Sequence, residues 1–310
     1  MRALAIVLFS ACGSHSADKP IDAPHTPIDV PMEMGSDAPS TSGNSYDNDG
    51  TVPYTVAVEH VSTFDVTVYM PSTPGAHPVV SLSCGLNQTA AGYAPYAKRL
   101  ASYGVAVVLR DDPGVLTNTS DILPGSLYIV DTWIAGDARF DATKVGLAGH
   151  SRGGAVSLLS AEHLGNKVVA WFGLDPVDNE FGQNPREFAR TTLPSLAIPT
   201  AYLGAGVTSN CAPVADSYEL LYPLSASPSV LIVGEGAGHT QLEPADGCTL
   251  CSVCSPSGTA DPNTVLAYAT RYATAFFARE LLGDASVGPA FEGAGAAADV
   301  AASRVTIMSK

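Results

Sequence analysis

Six consecutive residues, Gly149-His150-Ser151-Arg152-Gly153-Gly154, restrict the fold of this chain more than any other stretch. The run before them, 144–148, has the length and apolar content of a short buried strand, and the run after them, 155–161, reads as a small-residue helix packed on a sheet. Only a tight turn can join the two. In such a turn the serine takes a sparsely populated backbone conformation, and its neighbours cannot carry side chains. The turn lifts the serine hydroxyl clear of the sheet and aims backbone N–H groups at the helix start, where an oxyanion can be held. In a chain with 29 glycines, G-x-S-x-G alone is a weak signal, so the residues around it must carry the reading.

From residue 54 onward, strand-length apolar stretches alternate with helical ones, the pattern of a mostly parallel α/β sheet with helices on both faces. Residues 55–61 and 64–70 are expected to form a hairpin at the sheet edge. Further strands are expected at 78–83, 105–110, 145–148, 168–174, 200–203 and 230–233. Helices are expected at 93–103, 122–134, after Ser151, at 214–221 and at 262–282. With 310 residues, 46% of them apolar, the chain can fill the core of one large domain, placed at 51–282. The tail 283–310 reads as irregular or weakly helical around 293–302, with 305–307 able to add an edge strand.

Residues 1–12 combine Arg2, a short apolar run and the small residues Ser10 and Ala11 before Cys12, an export signal too short to span a membrane. The segment resembles a bacterial lipoprotein signal. That resemblance implies Cys12 as the lipidated first residue of the mature chain, anchored to the cell envelope at the outer membrane. Phe9 stands where such signals usually have an aliphatic residue, and ordinary cleavage to a periplasmic or secreted product is the alternative. Residues 13–50 carry Pro20, Pro24, Pro27, Pro31 and Pro39 among Asp and Ser without apolar periodicity, which describes a disordered tether. The net charge of −15 argues against nucleic acid and against anionic membrane surfaces as partners, leaving the lipid anchor as the membrane contact.

A serine at a turn is inert without a base and an orienting acid, which in a sheet of this kind follow in the order Ser, acid, His. His239 lies in Gly236-Ala237-Gly238-His239-Thr240, a glycine-rich turn just after the strand at 230–233, and is the base candidate. His15 and His25 lie in the tether, His60 and His77 precede the central strands, His163 sits at a helix end, and His150 reads as a packing residue. After strand 200–203 no carboxylate occurs until Asp216, whereas strand 168–174 is followed at once by Asp175-Pro176-Val177-Asp178. Asp175 is the expected acid and Asp178 the reserve. The oxyanion donors are expected to be the N–H groups of Arg152, next to the nucleophile, and of Leu86, in the loop after the third strand. Cys84 in that loop reads as a small buried side chain.

These pieces resemble the α/β-hydrolases of the chlorophyllase-like group, near the dienelactone hydrolases and cutinase-type polyester hydrolases. The resemblance rests on Gly149 to Gly154, on Leu174-Asp175-Pro176-Val177, on Cys211-Ala212-Pro213, on Gly238-His239 and on the helix-to-strand step at 99–108. It covers most of 53–282 and implies an α/β-hydrolase fold with a Ser151, Asp175, His239 triad. Polyester hydrolases carry the acid after the later strand, where this chain has none.

Cys211, Cys248, Cys251 and Cys254 are expected to form two disulfides in an oxidising compartment, of undetermined pairing, with Cys84 free. The 248-251-254 spacing also suits a metal, but no histidine follows at ligand spacing. The short stretch 178–193 leaves no room for a large lid. An open cleft follows, with Phe181, Phe188, Tyr93 and Tyr96 as candidates to line it. The resulting expectation is a monomeric, exported serine esterase that needs no cofactor or metal and acts on small or polymeric esters. Alternatives are a polyester hydrolase, an amidase or peptidase on the same triad, and a non-catalytic surface-binding lipoprotein.

Overall fold

The computed structural model describes residues 46–310 apart from 115–116, 180–186, 192, 244–250, 289–290 and 292–293. The signal, Cys12 and most of the tether therefore lie outside the described residues. Nine strands form one sheet: β1 (Tyr54–Val61), β2 (Phe64–Pro71), β3 (His77–Ser83), β4 (Ala106–Arg110), β5 (Phe140–His150), β6 (Val168–Leu174), β7 (Thr200–Val207), β8 (Ser229–Gly238) and β9 (Val305–Ser309). Their order is β1-β2-β4-β3-β5-β6-β7-β8-β9. The six strands from β4 through β8 pair in parallel, while β1, β2 and β9 are antiparallel to their neighbours.

Alternating residues of the central strands feed two separate cores, as a sheet covered on both faces requires. Val80, Leu82, Val107, Leu109, Phe172 and Ile232 pack with α1 (Ala94–Ser102) and α5 (Pro262–Phe277). Val79, Val108, Leu147, Trp171, Tyr202 and Leu231 face the other way, toward α2 (Thr119–Tyr128), α3 (Arg152–Leu164) and α4 (Tyr218–Leu224). Helix starts carry their sequence signals. Asn118 and Asp121 form a capping box on α2, and Asp261 accepts the Thr264 N–H ahead of Pro262 at the start of α5. The helix expected at 214–221 starts later, at Tyr218, because the Ser217 hydroxyl caps it by accepting the Glu219 N–H. No described helix is long and apolar enough to cross a membrane.

Both ends of the described chain pack on the body. Tyr46 is buried against Tyr103, the Gly50 N–H donates to Ser102 Oγ at 2.8 Å, and Arg271 pairs with Asp47, so residues 46–50, assigned to the tether by composition, are ordered contacts. The segment 293–302, read as irregular or weakly helical, contains α6 (Ala294–Ala301), whose Asp299 accepts from Arg271 and from Tyr272 Oη. Beyond it β9 pairs with β8, with Ile307 opposite Ile232.

The register gathers the candidate residues. Ser83 lies beside Gly149, His150 beside Leu174, and Leu174 beside Leu203, so the loops leaving β3, β5, β6 and β7 emerge together at the carboxyl edge of the sheet.

Candidate active site

Ser151 joins β5 to α3 with φ 54° and ψ −126°, a conformation a non-glycine residue holds only where its surroundings impose it. Its N–H donates to the Leu174 carbonyl at 3.1 Å, and its own carbonyl accepts from the N–H groups of Gly154 and Val177, each at 2.9 Å. The flanking glycines permit a close approach. A Cβ on Gly149 would strike the Gly153 carbonyl, and one on Gly153 would strike the carbonyls of Ser83 and Cys84.

His239 opens a short 3₁₀ turn at the end of β8 and reaches both neighbours expected of a base. Its Nε2 lies 2.9 Å from Ser151 Oγ and its Nδ1 lies 2.6 Å from Asp175 Oδ2. The carboxylate side of the ring fixes the tautomer, with the proton on Nδ1 and the Nε2 lone pair toward the serine hydroxyl. Asp175, at φ 39°, is held by its N–H on the Leu203 carbonyl at 2.7 Å and by the Ala205 N–H on Oδ1 at 3.1 Å. His239 is 5% and Asp175 1% exposed, so the pair works in a low-dielectric setting.

Asp178 is turned away from this line. Its Oδ1 accepts the Ala189 N–H at 3.0 Å, and its Oδ2 accepts the Arg190 N–H and Nε–H at 2.9 Å each. Arg190 also meets Asp216, so both later carboxylates organise a loop.

The loop after β3 runs beside the elbow, and a Cβ on Gly85 would come 3.5 Å from Ser151 Cβ. Within it the Gly85 N–H donates to Tyr93 Oη at 3.0 Å, the Asn87 N–H to Asp112 Oδ1 at 2.8 Å, and the Gln88 N–H to the Gly85 carbonyl at 3.0 Å. The intervening Leu86 N–H donates to no described residue. The Arg152 N–H is the first of α3 and has no helical carbonyl four residues back. Cys84 is buried and free of disulfide, and burial, with Asp111, Asp112 and Glu243 adding to it, pushes its thiol well up, away from thiolate chemistry.

Sequence reading missed the polar support beneath this line. His150 does more than pack: its Nε2 donates to the His239 carbonyl at 3.1 Å, and its ring lies against that of His239, tilted by 31° with 4.7 Å between centroids. Tyr93 Oη lies 2.8 Å from His150 Nδ1 and 2.9 Å from Glu243 Oε2. Burial, and after it the neighbouring His239, holds His150 well below the usual imidazole range. Burial raises Glu243, with the Tyr93 hydrogen bond and His239 working in the opposite direction. Tyr93 and Tyr96, candidates to line a cleft, are instead buried, and Tyr96 Oη donates to the Leu242 carbonyl at 2.5 Å. Phe188 lies under the Arg190 guanidinium, and Phe181 lies outside the described residues. The signals for this cluster in the chain were the adjacency of His150 to Ser151 and the proximity of Glu243 to His239.

The Cys211–Cys254 disulfide ties the loop after β7 to the segment between the His239 turn and α5, where Asn210 also bonds Ser255 and Val253. Cys248 lies outside the described residues, and with it the test of a second bridge. Among the described residues no cluster of three or more His, Cys, Asp or Glu side chains is arranged to hold a metal ion. No protein-family model matches the chain, and no curated protein matches it.

Proposed function

We propose that this chain is a serine esterase of the α/β-hydrolase kind, hydrolysing carboxylic esters through an acyl-enzyme on Ser151. One observation carries the reading: a single buried imidazole, His239, bonded on one side to the hydroxyl of an elbow serine and on the other to a carboxylate. Three further features support it. The three residues occur in the order Ser, Asp, His, the nucleophile stands between a strand and a helix at the carboxyl edge of a parallel sheet, and the Leu86 N–H in the neighbouring loop donates to no described residue while the Arg152 N–H opens α3.

In this mechanism His239 Nε2 takes the Ser151 proton as Oγ attacks the ester carbonyl. Asp175 stabilises the imidazolium, and the N–H groups of Leu86 and Arg152 hold the oxyanion. His239 then gives the proton to the leaving alkoxide. Water, activated by the same nitrogen, releases the acid and restores Ser151. The N-terminal signal, with Cys12 as anchor, belongs to the same proposal of an enzyme working outside the cytoplasm. An amide presents the same carbonyl with a poorer leaving group, so amide hydrolysis is a second activity to be read on the same substrate panel.

The test is hydrolysis of p-nitrophenyl esters of increasing acyl length. Turnover by the wild type, with loss of roughly 10⁵-fold or more in Ser151→Ala, is expected. Equal turnover by both proteins, or none by the wild type, would overturn the proposal.

A further inference from the structure

We propose that Asp112 is a positioning residue that holds the two oxyanion donors in register, an inference that rests on the esterase reading above. Asp112 follows β4 in the chain and has no place in the Ser, Asp, His line, yet its side chain is 1% exposed and that of Arg152 3%. The Arg152 guanidinium grips the carboxylate with Nε, at 3.1 Å from Oδ2, and with Nη2 on both oxygens. Nη2 also reaches the Gly114 carbonyl, at 3.1 Å, and Nη1 donates to the Thr117 carbonyl. Asp112 Oδ1 also accepts the Asn87 N–H at 2.8 Å, and the Asp112 N–H donates to the Gln88 carbonyl at 2.9 Å.

One carboxylate thus binds the side chain of the residue whose N–H is one donor and the backbone next to Leu86, whose N–H is the other. The two donors come from different loops, and no strand hydrogen bond joins those loops past the Ser83 and Gly149 register. An oxyanion hole acts only if its donors point in advance at the place where charge develops, so a shared clamp on both loops bears on the transition state more than on substrate binding. A buried ion pair is poor evidence of a stability role, because burial costs both charges their hydration. Here the fork geometry fixes direction.

The experiment compares the wild type, Ser151→Ala, Asp112→Asn and the double variant Asp112→Asn with Arg152→Met, on a p-nitrophenyl ester and on its thionoester. The thionoester replaces the carbonyl oxygen with sulfur and so draws little from oxyanion hydrogen bonds. Asp112→Asn is expected to lower kcat by about 10²-fold, the size of effect of losing one donor, with KM unchanged, and to shrink the ester-to-thionoester rate ratio. The double variant removes both buried charges and guards against misfolding. It is expected to regain thermal stability while its kcat and rate ratio stay low. Wild-type kcat and rate ratio in either variant, beside an inactive Ser151→Ala, would overturn the Asp112 assignment alone. Absence of wild-type turnover would overturn it together with the esterase reading.

Discussion

At the scale of single residues, Asp175 and Asp178 stand three positions apart on the same loop and have different surroundings. Asp175 faces His239, whereas Asp178 has its oxygens on Ala189 and Arg190. Asp175→Asn is therefore expected to lower kcat by about 10⁴-fold, by reversing the imidazole tautomer. Asp178→Asn is expected to keep most of kcat and lose stability, as measured by steady-state kinetics beside thermal melts. His150 supplies a pH prediction. Its folded pKa lies below its unfolded value, so below about pH 6.5 the unfolded chain takes up a proton that the folded chain refuses, and stability falls by up to about 1.4 kcal/mol per pH unit. Glu243 has the opposite sign, because its raised pKa adds stability that is lost as pH rises through the folded value. The fall in melting temperature between pH 7 and pH 5 should be shallower in His150→Asn than in the wild type. Ser151, Asp175 and His239, which the structure brings within hydrogen-bond reach of one another, were legible because each lies in the turn that follows an apolar strand. Sequence reading missed Asp112 and Glu243, and took Tyr93 for cleft lining, because buried polar contacts between separate loops have no spacing of their own.

At the scale of elements, periodicity located the central strands because they are apolar on both faces. Their lengths were less legible. β5 begins at Phe140, five residues before the expected start, since Asp141, Thr143 and Lys144 lie on its exposed or half-buried beginning and break the apolar run. β8 likewise runs on to Gly238 through Gly234 and Gly236, glycines that read as turn. The disulfide acts between elements. Cys211 and Cys254 close a loop with a sequence separation of 43, which constrains the unfolded chain by about 4 kcal/mol in the loop-entropy estimate. Reduction, or Cys254→Ser, should lower unfolding free energy by an amount of that order in a denaturant titration under otherwise identical conditions.

For the whole molecule, the C-terminal segment is part of the fold. β9 covers the outer edge of β8, the strand that delivers His239, and Phe291 packs against Tyr272 and Phe276 of α5. Composition hid this, because a Gly and Ala-rich stretch has weak periodicity and acquires a fixed place only through partners such as Arg271 with Asp299. Phe291→Ala should cost about 3 to 5 kcal/mol in denaturant unfolding, with little change in KM. The scaffold brings the loop ends after β3, β5, β6 and β7 to one edge of the sheet, where Ser151 stands. The most direct measurement is mass spectrometry of the protein quenched during turnover of p-nitrophenyl acetate. An acetyl group on the Ser151 peptide in the wild type, absent in Ser151→Ala and depleted in His239→Ala, is the predicted result. Release of p-nitrophenol with Ser151 unmodified, at a rate that Ser151→Ala matches, would contradict it.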